Sequence, residues 1–487
     1  MGTASCPNLQ VGVERAPAAD CLLPYAFCAQ VPAPMTGAVN PSRLYYNFGG
    51  RWPPVPWEAT PALPPTNQKL PKLITDTTLR DGAQDSRFAL FPHEAKLRYY
   101  DLLHQLDNGC GVIDNTEVFI YQRRDLWVLD QLLAREYSFP RITTWTRATP
   151  KDIRDLVEVS QGRIRETGIL ASASDHHIFD KLAFRSKEEA IEKYLRPVMT
   201  ALEHGITPRV HLEDTTKADI GGWVLPFMHR VLQETAGQAK FRLCDTIGWG
   251  VPDPRAGLPV GIPHLVATLY RETGAELEFH GHNDFGLATA NALAAWTYGC
   301  RAVNTTFGGL GERPGNTPLE QMVALYVRAY GDPGFDLHAL ADIRRLLDAE
   351  VVPTSPKQPI IGDVFSTQAG IHQQGVARQH ASEGGLIYLA YEPSLVGRDS
   401  EELDLIGALS GMEGIVAVLN GEMEKTTGQP GRFTTASRVV KQIYDCIQAA
   451  YDGEYEPETD RFVGCRRTFF SPAELAALAA SLGDSGP

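Results

Sequence analysis

Two hydrophobic rhythms alternate along most of the chain. Short β-branched runs predict strands at Leu73–Thr77, Val112–Phe119, Arg141–Arg147, Thr167–Ser172, Pro208–Leu212, Phe241–Thr246, Glu276–His282 and Ala302–Phe307. Amphipathic stretches between them predict helices such as Pro92–Leu106, Lys187–His204, Thr216–Thr235, Gly286–Tyr298 and Pro318–Tyr330. Eight strand–helix units over about 260 residues predict an α/β fold of the (β/α)8 TIM-barrel type. An open doubly wound sheet would call for a glycine-rich phosphate turn after the first strand, and Thr78-Leu79-Arg80-Asp81-Gly82 is not one. The rhythm stops near Gly331. Helical stretches follow at Leu337–Glu350, Glu413–Leu419, Arg438–Ala450 and Pro472–Leu482, with a Pro/Gly-rich connection at Pro353–Gly397.

Before the first strand the pattern is different. Twelve of the 34 prolines precede Pro71, which disfavours both helix and sheet ladders. An extended arm is the expectation, part of it packed on the body through Tyr45, Tyr46, Phe48, Trp52 and Trp57; disorder is the alternative. The expected divisions are an arm over 1–71, a catalytic barrel over 72–332 and an accessory, mostly helical region over 333–487.

Composition narrows the class. Lys+Arg 45 against Asp+Glu 59 gives a formal charge of −14, which argues against nucleic acid or an anionic membrane as the main partner. No apolar run is long enough for a membrane span, and the N-terminus has no signal-peptide pattern. Eight scattered cysteines with no CxxC pair fit reduced thiols, so a cytoplasmic location is expected.

Barrel chemistry belongs at the C-terminal ends of the strands, and here those ends are polar in every unit. The sharpest signal is His280-Gly281-His282. Residues two apart on a strand share a face, so both imidazoles would aim into the barrel mouth, with Gly281 leaving room. Together with Asp81, at the end of the first strand, they form a two-nitrogen, one-oxygen donor set suited to Mn²⁺, Co²⁺, Zn²⁺ or Fe²⁺. Two hydrogen-bonded core histidines are the other reading. Arg80, beside Asp81, could stabilise a developing oxyanion or form a salt bridge at the mouth.

These residues carry a resemblance. Ile74-Thr75-Asp76-Thr77-Thr78-Leu79-Arg80-Asp81-Gly82-Ala83-Gln84 resembles the signature of the DRE-TIM metallolyase superfamily, which includes the isopropylmalate and homocitrate synthases. His280–Asp284 with Gly311–Thr317 resembles the second signature of the synthases. Ala369-Gly370-Ile371-His372 and Tyr388–Arg398 resemble their accessory subdomain. Leu106–Ile113, Thr116–Phe119, Thr144–Ala148, Ser174–Phe179 and His211–Asp219 look most like Re-citrate synthase and its relatives that make 2-phosphinomethylmalate or 2-phosphonomethylmalate.

The resemblance implies roles. Asp81, His280 and His282 match metal ligands, and Asn316 matches a position that ligates or borders the metal; Mn²⁺ or Co²⁺ is implied first, then Zn²⁺ or Mg²⁺. Arg80 matches the catalytic arginine. Glu213 and Thr246 match substrate-contacting positions. Glu312, His372 and Tyr388 match positions for acid–base chemistry, the last two reaching in from the accessory region of a homodimer partner. The implied reaction is an acyltransferase condensation (EC 2.3.3 type) of acetyl-CoA with a small anionic 2-oxo acid, followed by thioester hydrolysis. Lyases of the group carry a reactive cysteine in the loop after the eighth strand, and Gly311-Glu312-Arg313 contains none. By position, recognition of the acceptor's distal anion falls to Arg147, helped by His177 or Arg123; an ion pair of Arg147 with Glu117 or Glu166 is the alternative. A metal-binding barrel without catalysis, acting as regulator or scaffold, is the reading from another class.

Overall fold

A computed structural model describes Val55 and residues 71–365, 388–398, 406–464 and 469–482. Apart from Val55 and Pro71, the expected arm lies outside the described residues, and so does the Ala369–His372 motif. Eight parallel strands close into a barrel in sequential order. They are β1 (Leu73–Asp76), β2 (Ile113–Val118), β3 (Arg141–Thr146), β4 (Glu166–Ser172), β5 (Thr207–Glu213), β6 (Lys240–Asp245), β7 (Leu277–Gly281) and β8 (Ala302–Thr305). β1 pairs with both β2 and β8, which closes the ring. The helices α1 (His93–Asp107), α2 (Arg123–Leu133), α3 (Pro150–Ser160), α4 (Lys187–Glu203), α5 (Leu225–Glu234), α6 (Ile262–Thr273), α7 (Ala288–Tyr298) and α8 (Leu319–Tyr330) follow the strands in turn. No helix among the described residues is long and apolar enough to cross a membrane.

The helix expected over Thr216–Thr235 is broken. A 3-10 turn covers Thr215–Lys217 and a π turn covers Ile220–Val224 before α5 begins. The Asp219 side chain accepts from the Gly222 N–H, and Gly221, Gly222 and Pro226 oppose a continuous helix there. The helix α3 carries a clear start: Thr149 accepts from Asp152 N–H, and Pro150 follows.

The apolar core lies between sheet and helices. Ile169, Val210, Leu212, Leu243, Phe279 and Val303 are fully buried there with Leu103, Leu156, Val198, Leu265 and Trp296. Residues of the opposite parity face the lumen, and several are charged. Arg242 on β6 donates to Glu117 on β2 at 2.9 Å, across the barrel, so both point inward. Arg242 also donates to Glu278 at 2.8 Å. Arg209 reaches Glu166 at 2.7 Å, Glu117 at 3.2 Å and Glu278 at 3.2 Å. All of these side chains are buried. A barrel lumen is usually filled by branched apolar side chains in layers; here much of that space is occupied by a closed set of ion pairs.

Beyond the barrel, α9 (Ala339–Glu350) packs against α1. The helices α10 (Met412–Thr427), α11 (Arg438–Asp452) and α12 (Pro472–Ser481) share a separate apolar cluster that includes Ile415, Leu419, Val440, Ile443 and Leu475. A small hairpin, Glu454–Glu456 with Arg461–Val463, was not expected from the sequence pattern. On α8, buried Glu320 ties two segments together: it accepts from Gly308 N–H at 2.8 Å and from Gln358 Nε2 at 3.0 Å.

Two predictions follow from these buried charges. Arg242→Met leaves Glu117 and Glu278, both buried, each short of a partner, so it should destabilise the fold by about 3–5 kcal/mol, read as a large drop in melting temperature. Glu320 is pushed up to about 7 by burial, against the hydrogen bonds from Gln358 and Gly308. Its folded value lies above the ordinary carboxyl value, so its stabilising contribution is full below the unfolded value. That contribution is lost as pH rises through about 7. Glu320→Gln should therefore flatten the fall in melting temperature between pH 5 and about 7.5. Buried Asp76 (about 6) and Asp245 (about 7) would supply what slope remains.

Candidate active site

The turn after β1 is built around one carbonyl. Thr77 O accepts from the N–H groups of Arg80, Asp81 and Gly82 at 3.1, 2.8 and 3.1 Å. This turn places Arg80 and Asp81 at the barrel mouth, both buried. Arg80 Nη1 donates to Asp81 Oδ1 at 2.8 Å, and its Nε donates to Glu117 Oε2 at 3.0 Å. The mouth is thereby joined to the lumen ion pairs.

β7 and the residue after it present the two imidazoles. His280 Nε2 and His282 Nε2 lie 3.3 Å apart. Asp81 Oδ2 is 3.8 Å from the first and 4.0 Å from the second. Gly281 is required between them, because a Cβ there would come within 2.8 Å of the Phe279 ring. Asn304 Nδ2 donates to Thr75 Oγ1 at 2.9 Å, which leaves its Oδ1 to receive the His280 Nδ1–H at 2.8 Å. Thr75 in turn donates to Glu278. This chain of bonds sets the His280 tautomer so that its Nε2 lone pair faces Asp81 and His282.

The residues fit a divalent metal. Asp81, His280 and His282 each offer a ligand atom, all within 4.8 Å of one another. Asp81 Oδ2 and Asn316 Oδ1 are buried without a hydrogen-bond partner, an expensive state unless something else meets them. Asn316 stands beside His282 through a backbone bridge. Its place depends on Gly311, where a Cβ would lie 2.2 Å from Asn316 Nδ2. The protonation states also suit ligands. Burial, reinforced by His282, pushes His280 down to about 3 despite the charge of Asp81. Burial alone would raise Asp81, but Arg80 and the two imidazoles hold its carboxyl well below the usual range.

A second polar cluster sits at the ends of β4 and β5. Glu213 accepts from His177 Nδ1 at 3.0 Å, from Ser172 Oγ at 2.6 Å and from Lys181 Nζ at 2.9 Å. Burial alone would raise its carboxyl; these contacts outweigh burial and hold it at about 2. Thr246 Oγ1 accepts from Asp214 N–H at 2.8 Å, its own proton remaining available. Glu312 is exposed on the loop after β8. Tyr388 is 44% exposed in the accessory region, and His372 lies outside the described residues.

Arg147 departs from the expected ion pair. Neither Glu117 nor Glu166 is its partner. Asp152 takes its guanidinium in a two-pronged pair at 2.9 and 3.1 Å, and the group lies 4.7 Å over the Tyr121 ring, 63% exposed. The α3 cap places Asp152 where Arg147 can reach it. His177 likewise has a carboxylate partner, Glu213, at 3.0 Å.

Glu278, Arg209, Arg242, Asn304 and Thr75 support this site and were not singled out from the sequence. A signal was present: Glu278 shares the parity of His280 on β7, and Arg209 shares that of His211 on β5. Once His280 is taken as inward, its same-face neighbour must be inward too.

A citrate (Re)-synthase of Clostridium kluyveri is 36% identical over 383 residues, covering 75% of this chain and 81% of that protein. A citrate (Re)-synthase of Syntrophus aciditrophicus is 40% identical over 316 residues, 63% of this chain and 49% of that protein. A 2-phosphinomethylmalate synthase of Streptomyces hygroscopicus is 35% identical over 361 residues, 71% of this chain and 79% of that protein. The family described as HMGL-like matches residues 72–347, more than half of the chain, and the chain belongs to that family.

Proposed function

We propose that this chain condenses acetyl-CoA with an oxaloacetate-like 2-oxo acid and hydrolyses the thioester, releasing CoA and a 2-substituted malate. The observation that carries the reading is the Asp81–His280–His282 cluster, with its partnerless buried oxygens, one residue from Arg80. The relatives named citrate (Re)-synthase and 2-phosphinomethylmalate synthase support it and suggest the acceptor: oxaloacetate or 3-phosphinopyruvate. Relatives named 2-isopropylmalate synthase and homocitrate synthase, each 31% identical, stand further off.

A divalent ion held by Asp81, His280 and His282, with Asn316 beside it, would supply Lewis-acid polarisation of the acceptor carbonyl when bound. The chain's own groups do the rest. Arg80 spends its Nε and Nη donors on Glu117 and Asp81, which fixes the plane of the guanidinium. Held there beside Asp81, the guanidinium is a fixed positive charge that would stabilise negative charge on the former carbonyl oxygen. Glu213 is held ionised at neutral pH, so it accepts hydrogen bonds from substrate and does not deliver a proton. Glu312, with His372, is assigned removal of a proton from the acetyl methyl group. The resulting carbanion equivalent attacks the acceptor carbonyl, and water then cleaves the thioester to CoA and a carboxylate.

Asp81→Ala and His282→Ala should each abolish metal-dependent CoA release while far-UV circular dichroism stays unchanged; full activity in either variant refutes the assignment. A thiol-release assay with oxaloacetate, 3-phosphinopyruvate, 3-phosphonopyruvate, 2-oxoglutarate, 2-oxoisovalerate and pyruvate should give its highest kcat/KM with one of the first two. Release with none of the acceptors would favour the scaffold reading.

A further inference from the structure

The opposite end of the barrel holds a cavity that the proposed chemistry does not use. It has a volume of about 190 Å³ and lies at the N-terminal ends of β3 and β4, under α1 and α2. Catalytic groups in this fold sit at the other face. One wall is apolar: Leu132 and Leu133 from α2, Ile142 from β3, and the rings of Tyr100 and Tyr137. The rings are held in place. Tyr100 OH donates to Pro140 O at 2.8 Å, and Tyr137 stacks on His104 with centroids 3.7 Å apart.

The other wall is charged, and its charges divide into two groups. Arg141 is committed to Asp114, Arg163 to Asp130, and Glu166 to Arg209 and Lys240. Arg165 also lines the cavity from its solvent-exposed rim, and its guanidinium has no ion-pair or hydrogen-bond partner among the described residues. The Glu136 carboxylate at the same cavity is in the same condition. An always-charged, forked donor beside an apolar slot matches a carboxylate on an apolar body.

We propose that this cavity is a binding site for a small monocarboxylate with an apolar body, its carboxylate on Arg165 and its body against Leu132, Leu133 and Ile142. Two sources share that chemistry: a simple branched acid, and an apolar α-amino acid whose ammonium group would meet Glu136. The volume admits a body of four to six heavy atoms, on the order of 30 Å³ each with packing space, and excludes a coenzyme.

The test uses the full chain and isothermal titration with 4-methylvalerate and with leucine. One or both should bind at one equivalent. Arg165→Ala should weaken binding at least tenfold, and Leu133→Trp, which fills the slot, should abolish it. Basal CoA release should be unchanged in Arg165→Ala, since Arg165 is remote from the mouth. Leucine binding that Glu136→Gln weakens identifies the amino acid as the source; 4-methylvalerate binding alone identifies the simple acid. No binding of either probe to the unaltered chain, or equal binding to Arg165→Ala, overturns the proposal.

Discussion

One guanidinium joins the two halves of this protein's physics. Arg80 is shared between Asp81, at the mouth, and Glu117, in the lumen. Placing a charged arginine and two carboxylates in a dry barrel is costly unless every charge finds a partner. The lumen meets that demand with Arg209 and Arg242 against Glu117, Glu166 and Glu278. Lysine could not replace arginine here, because a point charge on a flexible stem cannot serve two or three carboxylates at fixed angles. The turn geometry at Thr77, the glycine at 281 and the Asn304 bond to His280 all act on a site whose orientation this pairing already sets.

The same pairing explains how the site keeps incompatible states side by side. His280 is neutral because it is buried, and Asp81 is ionised although it is buried. Without Arg80, Asp81 would be driven toward its protonated form, and an oxygen suited to a cation would become a hydroxyl. At β4 and β5 the arrangement recurs with other groups: His177, Ser172 and Lys181 keep Glu213 ionised. The candidate site is thus a set of carboxylates held charged by fixed neighbours.

Much of this is legible in the sequence where the signal is local. The strand and helix rhythm delimits the eight strands to within a residue or two, and His280-Gly281-His282 with Asp81 come together as a cluster. Signals that depend on a distant partner are not legible. Arg209, Arg242 and Glu278 alternate with apolar residues, as solvent-facing positions of a half-buried strand also do; only closure of the barrel turns that face inward. Arg147 looks available in sequence, but the start of α3 delivers Asp152 to it. The Thr216–Thr235 stretch has helical spacing, yet local bonding at Asp219 and the glycines after it set a later start.

The lumen pairs form a line from Lys240 through Glu166, Arg209, Glu117 and Arg80 to Asp81. Most of its length is closed to solvent, so the surrounding ionic strength screens it far less than it screens surface charges. The field at the mouth is therefore set mainly by the folded chain. Salt acts on what happens outside, on the surface that carries the net charge of −14 and on the approach of anionic molecules to it. Fluctuating salt would thus change how often this protein meets its substrates far more than it changes the electrostatic setting that awaits them.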